Sequence, residues 1–340
     1  MLILGIETSC DETSCAVVED GVKIRSQEVS SQVKAHSPYG GVVPELACRE
    51  HIKNMIPVLE RVIHEAGISL HDIDAVAVTQ GPGLIGSLLV GLETAKALCF
   101  TLSKPLVGVH HLAAHLYSAV FAEKNAPHIL DNLYPFLGMV VSGGHTSMFT
   151  VESPLKYQQI GQTLDDAAGE AFDKVARLLG IGYPGGPIID RLAAMGNSAR
   201  IRFPRPNISS GDFNFSFSGL KTAVAGYVRH KGFLNIKAND QWLRDICASF
   251  QEAVIDSLLI KLEYATKIYA PKNIVIAGGV ASNRRLGDEA MKRFSSFRVI
   301  IPPPPLCTDN AVMVAGLGYH YLLAGKTLDL TANACGRLPL

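Results

Sequence analysis

Leu2-Ile3-Leu4-Gly5-Ile6 is an apolar run that breaks at Glu7-Thr8-Ser9-Cys10-Asp11-Glu12-Thr13, and Cys15-Ala16-Val17-Val18 resumes it. Short apolar runs flanking a turn of acids and hydroxyls read as strand, loop, strand. The pattern recurs: Leu137 to Ser142, then Gly143-Gly144-His145-Thr146, then Ser147 to Val151. Two hairpins with polar turns thus open two halves of the chain, about 135 residues apart, which reads as a weak internal duplication.

Outward from each hairpin the chain alternates strands and helices. Ala75 to Val78 is strand-like, Thr79-Gln80-Gly81-Pro82-Gly83 is a glycine-rich turn, and Leu84 to Thr101 is a mostly apolar helix. Pro105 to Val109 predicts a strand that feeds a helix carrying His111 and His115. In the second half Thr163 to Leu179 reads as a helix, with Thr163 as N-cap before Asp165 and Asp166. Tyr183-Pro184-Gly185-Gly186-Pro187 ends it and opens another helix. Residues 205–240, rich in Asn, Ser, Gly and Phe, read as an irregular insertion. Apolar residues at 243, 246, 247, 250, 254, 258 and 262 have helical spacing within Asp240 to Tyr269. Ile274 to Ala277 is a strand, Gly278-Gly279 a turn, Ser282 a helix start, and Pro302 to Pro305 a stiff extended connector. The alternation predicts a layered α/β fold.

At 340 residues, and about 150 per domain, the chain suits two lobes. Charged residues at 18% against 48% hydrophobic exclude an intrinsically disordered chain. Lys+Arg and Asp+Glu are both 31, so a strongly basic nucleic-acid scaffold is excluded, though a local basic patch is not. The seven cysteines, at 10, 15, 48, 99, 247, 307 and 335, are odd in number, irregular in spacing and without a C-x-x-C pair. That pattern predicts reduced thiols in a cytosol rather than a disulfide framework or zinc ribbon. Met1 to Gly5 has no basic region ahead of an apolar core, and no uninterrupted apolar stretch of about 18 residues occurs. A cytoplasmic protein with no membrane span is expected.

His111-Leu112-Ala113-Ala114-His115 places two imidazoles at i and i+4, on one helix face, where they can chelate one metal or simply stand at the surface. His110 lies roughly 100° around the helix and points elsewhere. Asp309, in Cys307-Thr308-Asp309-Asn310, is a candidate third ligand. Zinc peptidases of the H-E-x-x-H kind need a glutamate after the first histidine, and here Leu112 stands there. Two histidines and an aspartate with open positions suit Fe(II) or another divalent ion equally. Val141-Ser142-Gly143-Gly144-His145-Thr146 offers backbone N–H groups and hydroxyls to an anion; an ordinary Gly-Gly hairpin turn gives the same pattern. Ala277-Gly278-Gly279-Val280-Ala281-Ser282-Asn283 lets a base or phosphate lie on bare backbone, without a Rossmann fingerprint or P-loop. Asp173, Gly186 and Asp190 are candidates for bounding the same pocket. Asp11 and Glu12, among hydroxyls, can anchor a metal-bound water or act as general base, or stand solvated in a turn.

The motifs are specific as a set: GIETSCDETS at 5–14, YGGVVPELA at 39–47, TQGPGLIGSL at 79–88, VHHLAAH at 109–115 and VVSGGHT at 140–146. DDAAGEAFDKVARLLG at 165–180, YPGGP at 183–187, FSFSGLKT at 215–222, AGGVASNR at 277–284 and CTDN at 307–310 follow in order. The chain closely resembles the bacterial tRNA N6-adenosine threonylcarbamoyltransferase (TsaD) family, whose members were formerly called O-sialoglycoprotein endopeptidases. The resemblance implies two ribonuclease-H-like lobes of the actin, sugar kinase and Hsp70 group enclosing a nucleotide cleft. On that reading residues 1–130, joined by 311–340, form the first lobe, and 131–310 the second, with the insertion near 205–240. It implies transfer of the threonylcarbamoyl group from threonylcarbamoyl-AMP to N6 of the tRNA adenosine 3′ of the anticodon, in tRNAs reading codons beginning with A, with release of AMP.

The family's metal ligands fall on His111, His115 and Asp309, implying one divalent metal ion, Fe(2+) first, with Zn or Mg as alternatives. Its substrate contacts fall on Val140, Val141, Ser142, Gly143 and Gly144, on Asp173, Gly186 and Asp190, and on Asn283. Asp11 and Glu12 match the family's first loop and are the catalytic candidates. The resemblance further implies tRNA, a TsaB-like paralogue and a TsaE-like ATPase as partners. Arg200, Arg202, Arg205 and Lys221 are candidates for a local tRNA patch. Two other readings compete: a metallopeptidase, which lacks the base at Leu112, and an ATP-dependent kinase or ATPase of the actin-like group.

Overall fold

The computed structural model describes residues 1–122, 130, 132–206, 211–231 and 240–340. The chain forms two compact units: Met1–Tyr134 with Val151–Tyr157 and Pro302–Leu340, and Pro135–Thr150 with Gln158–Ile301. The return to the first unit falls at Pro302 rather than at 311, so Asp309 belongs to the first unit, with the histidines, and not to the second.

The first unit is built on a five-stranded sheet of order β3-β2-β1-β4-β5, from β1 (Leu2–Glu7), β2 (Glu12–Glu19), β3 (Lys23–Ser31), β4 (Ala75–Gly81) and β5 (Leu106–His110). β1, β2 and β3 are antiparallel neighbours, while β4 runs parallel to β1 and β5 parallel to β4. Apolar residues fill both faces of β1, β2 and β4, because helices cover both sides. The helices Pro44–Ala66 and Ile85–Leu102 pack on one side: Val58, Leu59, Val62, Leu92 and Ala95 join Leu4, Ile6, Val17, Val76 and Val78 in one buried cluster. Each such valine, leucine or isoleucine side chain contributes about 1.5–3 kcal/mol on burial. Ile85–Leu102 is, among the described residues, the one helix long and apolar enough to cross a membrane by length and composition; Leu88, Leu92, Ala95 and Cys99 on it are buried in this core. The helix Ala311–Leu323 packs against β1, β2 and β4.

The second unit repeats this order. Its sheet runs β10-β9-β6-β7-β8, from β6 (Phe136–Val141), β7 (Thr146–Ser153), β8 (Lys156–Gln162), β9 (Asn273–Ala277) and β10 (Arg298–Ile300). Three strands joined by short turns are followed by two parallel partners, β9 beside β6 and β10 beside β9. The long helix Gln241–Tyr269 carries this unit's core, with Phe250 set edge-on to Phe172 at 5.2 Å between ring centres. This repeated order is the internal duplication that the two hairpins announced.

Three local expectations are corrected. The helix expected from Thr163 begins at Ala168. Thr163 and Asp165 are taken up elsewhere, Asp165 accepting from the N–H of Phe217 and Ser218 and the hydroxyls of Ser216 and Ser218. The insertion near 205–240 contains a regular helix, Ser218–His230; its 207–210 and 232–239 stretches lie outside the described residues. The proline run is not wholly extended: Pro304–Cys307 form one helical turn.

Candidate active site

β5 ends at His110, and the chain turns directly into the helix His111–Tyr117. His110 caps that helix, its Nδ1 accepting from the N–H of Leu112 at 3.2 Å while its Nε2 donates to the Leu338 carbonyl at 2.9 Å. It therefore points away from the two candidate ligands, as expected, but from the end of the strand rather than through an offset around the helix. His111 and His115 present their rings edge-to-face, 4.6 Å between centres. Asp309 Oδ1 lies 3.0 Å from His115 Nε2 and 3.7 Å from His111 Nε2. One ligand atom from each of the three residues lies within 4.8 Å of the others, a grouping able to hold a metal ion.

Glu7, at the end of β1 and fully buried, stands behind His111 with Oε2 3.3 Å from Nδ1. The same oxygen accepts from the Thr79 hydroxyl at 2.6 Å, and Oε1 accepts from the Ser9 N–H. Ser9 Oγ also lies 3.2 Å from His111 Nδ1. Sequence reading placed Glu7 in the polar loop and missed this role. The signal was an acid closing an otherwise apolar strand, since a buried carboxylate must find partners.

The charges fit a cation. Burial opposes protonation of His111, but Asp309 and Glu7 outweigh it and lift its pKa to about 9. Burial and the His111 charge push His115 down. Burial would raise Glu7; the His111 charge reverses this and holds it below the usual carboxylate range. The two imidazoles titrate as a coupled pair, with the proton on His111. That proton holds a place between carboxylates that a metal cation suits, and His115 Nδ1 is a buried nitrogen without a hydrogen-bond partner among the described residues.

Asp11 lies in the turn between β1 and β2, while Glu12 is the first residue of β2, across from Ser31, whose hydroxyl lies 3.3 Å from its carboxylate. Glu12 is half-buried. Burial first, then the charges of Asp11 and Asp309, hold its carboxyl well above the usual range. Leu112, directly after His111, is buried, so no carboxylate stands where a zinc peptidase has its base.

In the second unit, Val140 and Val141 end β6 and Ser142 to His145 make the turn. Ser142 N–H donates to the His145 carbonyl at 2.7 Å, and Gly169 N–H to the Ser142 carbonyl at 3.1 Å. A Cβ added at Gly143, Gly144 or Gly186 would meet nothing within 4 Å. At Gly278, where φ is +93°, it would stand 2.5 Å from the Val141 carbonyl oxygen. The first three glycines thus leave room beside exposed backbone; Gly278 permits close packing of β9's end on β6. Asp173 accepts from the Gly185 N–H at 2.7 Å, which sets it beside Gly186. Asn283 donates to Asp190 at 3.2 Å and to Gln251 at 2.8 Å, and its Oδ1 caps the helix Arg284–Arg293 through the Leu286 N–H. The structure thus brings together Asp173 with Gly186, and Asp190 with Asn283. Gln251 was not foreseen. Of the basic candidates, Arg205 is committed to Asp256 by two hydrogen bonds, 3.1 and 2.7 Å, whereas Arg200 is exposed over the Trp242 ring, 4.8 Å from its centre. Arg202 is exposed and Lys221 half-buried.

Solved structures share the fold. A Thermococcus kodakarensis HypF superposes with a TM-score of 0.62 at 16% identity, over 95% of this chain and 48% of that one. The (R)-2-hydroxyglutaryl-CoA dehydratase component A of Acidaminococcus fermentans superposes with 0.54 at 18% identity, over 95% and 99%. The fold is that of the actin-like ATPase group. In sequence, the chain is 48% identical to the tRNA N6-adenosine threonylcarbamoyltransferase of Syntrophus aciditrophicus, over 100% of this chain and 98% of the relative. It is 50% identical to that of Geotalea uraniireducens, over 97% and 95%. The family profile described as TsaD, tRNA N6-adenosine threonylcarbamoyltransferase, matches residues 23–316. With the ligand triad, the turn and the whole-length identity in agreement, the chain belongs to the tRNA N6-adenosine threonylcarbamoyltransferase family and is a tRNA-modifying transferase.

Proposed function

We propose that the chain moves the threonylcarbamoyl group from threonylcarbamoyl-AMP to N6 of the tRNA adenosine 3′ of the anticodon, releasing AMP. The observation that carries a metal-assisted reaction is the convergence of His111, His115 and Asp309, with ligand atoms within 4.8 Å. These three residues would hold one divalent ion; the two-histidine, one-carboxylate donor set suits Fe(2+) and other divalent ions equally, and family membership is what puts Fe(2+) first. Such an ion, when bound, supplies Lewis acidity toward a carbonyl or phosphate oxygen.

The chain's own groups divide the remaining work. Gly143 and Gly144 offer backbone donors to the phosphate of the leaving AMP. Asp173 with Gly186, and Asp190 with Asn283, are placed to bind the nucleoside; carboxylates hold ribose hydroxyls well. The adenosine amine attacks the carbamoyl carbon, the bond from that carbon to the phosphate oxygen breaks, and Glu12, with Asp11 beside it, takes the amine proton. A carboxylate whose pKa is raised by burial is better matched to that task than a solvated one. Exposed Arg200 and Arg202 are the basic groups we assign to tRNA phosphates. Family membership supports a TsaB-like paralogue and a TsaE-like ATPase as partners. Seven free cysteines support a reducing, cytoplasmic setting.

The test presents purified protein with tRNA and threonylcarbamoyl-AMP, and in parallel with a glycoprotein and with ATP. Modified adenosine and AMP in equal amounts are expected. Chelator-sensitive proteolysis that disappears in His111→Ala would restore the peptidase reading; ATP turnover without transfer would favour the kinase-like one.

A further inference from the structure

Thr8 to Asp11 lie outside the strand ladder, so their backbone carbonyls must find partners elsewhere. Ser9 accepts from the Leu84 N–H at 2.8 Å and Asp11 from the Gln32 N–H at 3.0 Å. Between them, Cys10 accepts from a side chain: His51 Nε2, at 3.0 Å. The other nitrogen of that ring, Nδ1, lies 2.8 Å from Thr13 Oγ1. A carbonyl only accepts, so Nε2 carries the hydrogen and Nδ1 accepts from the Thr13 hydroxyl. One ring thus grips the chain on both sides of Asp11 and Glu12.

His51 is fully buried on the helix Pro44–Ala66, one turn from Ala47 and one from Met55 on its inward face. An aliphatic side chain would fill that place without the cost of desolvating two nitrogens. The start of the same helix is tied to the same turn by a second buried route. Val43 N–H donates to His36 Nδ1, His36 Nε2 to Gln32 Oε1, and Gln32 Nε2 to the Ala47 carbonyl. Gln32 is also the residue whose N–H holds the Asp11 carbonyl.

We propose that His51 is a positioning residue for the transfer reaction: through Cys10 and Thr13 it fixes the two-acid turn so that Asp11 and Glu12 are held in reacting geometry. This rests on the reading of those acids as catalytic. Burial pushes the His51 pKa down, which keeps the ring in the neutral form that these bonds require.

The experiment compares His51→Leu, His51→Gln, Thr13→Val and Glu12→Gln by steady-state kinetics, metal content and amide exchange of peptides covering 8–14. A glutamine amide reaches the Nε2 position and restores the donor to Cys10. His51→Leu is expected to lower kcat by about 30-fold, with KM for threonylcarbamoyl-AMP and tRNA within about threefold, since displacement of a reacting group acts on the transition state. Metal content stays at the wild-type level, and exchange at 8–14 accelerates while the rest of the first unit is unchanged. His51→Gln and Thr13→Val each keep the bond to Cys10 and lose the one to Thr13, so both fall between wild type and His51→Leu, within about threefold of each other. A folded His51→Leu protein with wild-type kcat and exchange, or His51→Gln as impaired as His51→Leu, overturns the inference. Should His51→Leu fail to fold, Thr13→Val with unchanged kcat and exchange does the same. If Glu12→Gln keeps full kcat, the acid reading fails instead, and the exchange data still decide whether His51 holds the turn.

Discussion

Raising the pH of the chelator-stripped protein should weaken it through one residue, His111. Its folded pKa stands at about 9 against an ordinary 6.5, because Asp309 and Glu7 outweigh the effect of burial. A base raised in the folded state stabilises fully below 6.5, and the contribution is lost as pH climbs through the folded value. Between about pH 7 and 8.5 the unfolded chain has released this proton and the folded chain is releasing it, so unfolding free energy falls by about 2 kcal/mol. That is a large part of a domain stability of about 5–15 kcal/mol. Other groups titrate too. His51, His110 and His320 are pushed down by burial, so their effect has the opposite sign and is nearly complete by neutrality. The buried thiols of Cys15, Cys99 and Cys247, raised by burial, add a further loss at the alkaline end. Subtracting a His111→Gln variant cancels both sets. The assay is urea unfolding at half-unit pH steps, wild type minus variant, in the presence of chelator. A difference that stays flat from pH 7 to 8.5 would refute the claim that His111 keeps a proton between two carboxylates.

Three further outcomes are expected. His115→Ala and Asp309→Asn should each abolish stoichiometric metal and most transfer activity while leaving the circular dichroism spectrum unchanged; full metal content in either would dismantle the triad. Gly143→Val should leave stability unchanged, since its Cβ meets nothing within 4 Å, yet weaken binding of the AMP-bearing substrate at least tenfold by calorimetry. Gly278→Val, with φ at +93° and a carbonyl 2.5 Å from the new Cβ, should instead destabilise the second unit by about 2 kcal/mol or more in denaturant unfolding.

The hairpins were legible because apolar runs of strand length were broken by acids, hydroxyls and glycines, and the pairing of His111 with His115 because i, i+4 spacing needs no tertiary knowledge. Asp309 was legible as an acid in a polar loop, but its meeting with the histidines was not, since no local pattern joins positions 194 residues apart. The strand Lys23–Ser31 escaped the reading: it is an edge strand, mostly half-exposed or exposed, with polar residues on both faces. Asp165 misled it for a related reason. An acid in front of a helix resembles a first-turn residue, but its four hydrogen bonds go to residues 216–218, about fifty positions away. His51 carried no pattern at all; its meaning lies in two partners, one on each side of a turn.

The first unit is stitched from both ends of the chain, and this orders events during synthesis. When the ribosome has made Tyr134, the first sheet has its five strands but lacks the helix Ala311–Leu323 that covers β1 and β4. Apart from its Val151–Tyr157 excursion, the second unit is an uninterrupted insert that can complete its fold while the first waits. His111 and His115 therefore emerge long before their carboxylate, and the ligand set closes only after Asp309 has left the exit tunnel. A half-built chain cannot bring the three candidate ligands together, so an ion held by all three would be taken up by the finished protein.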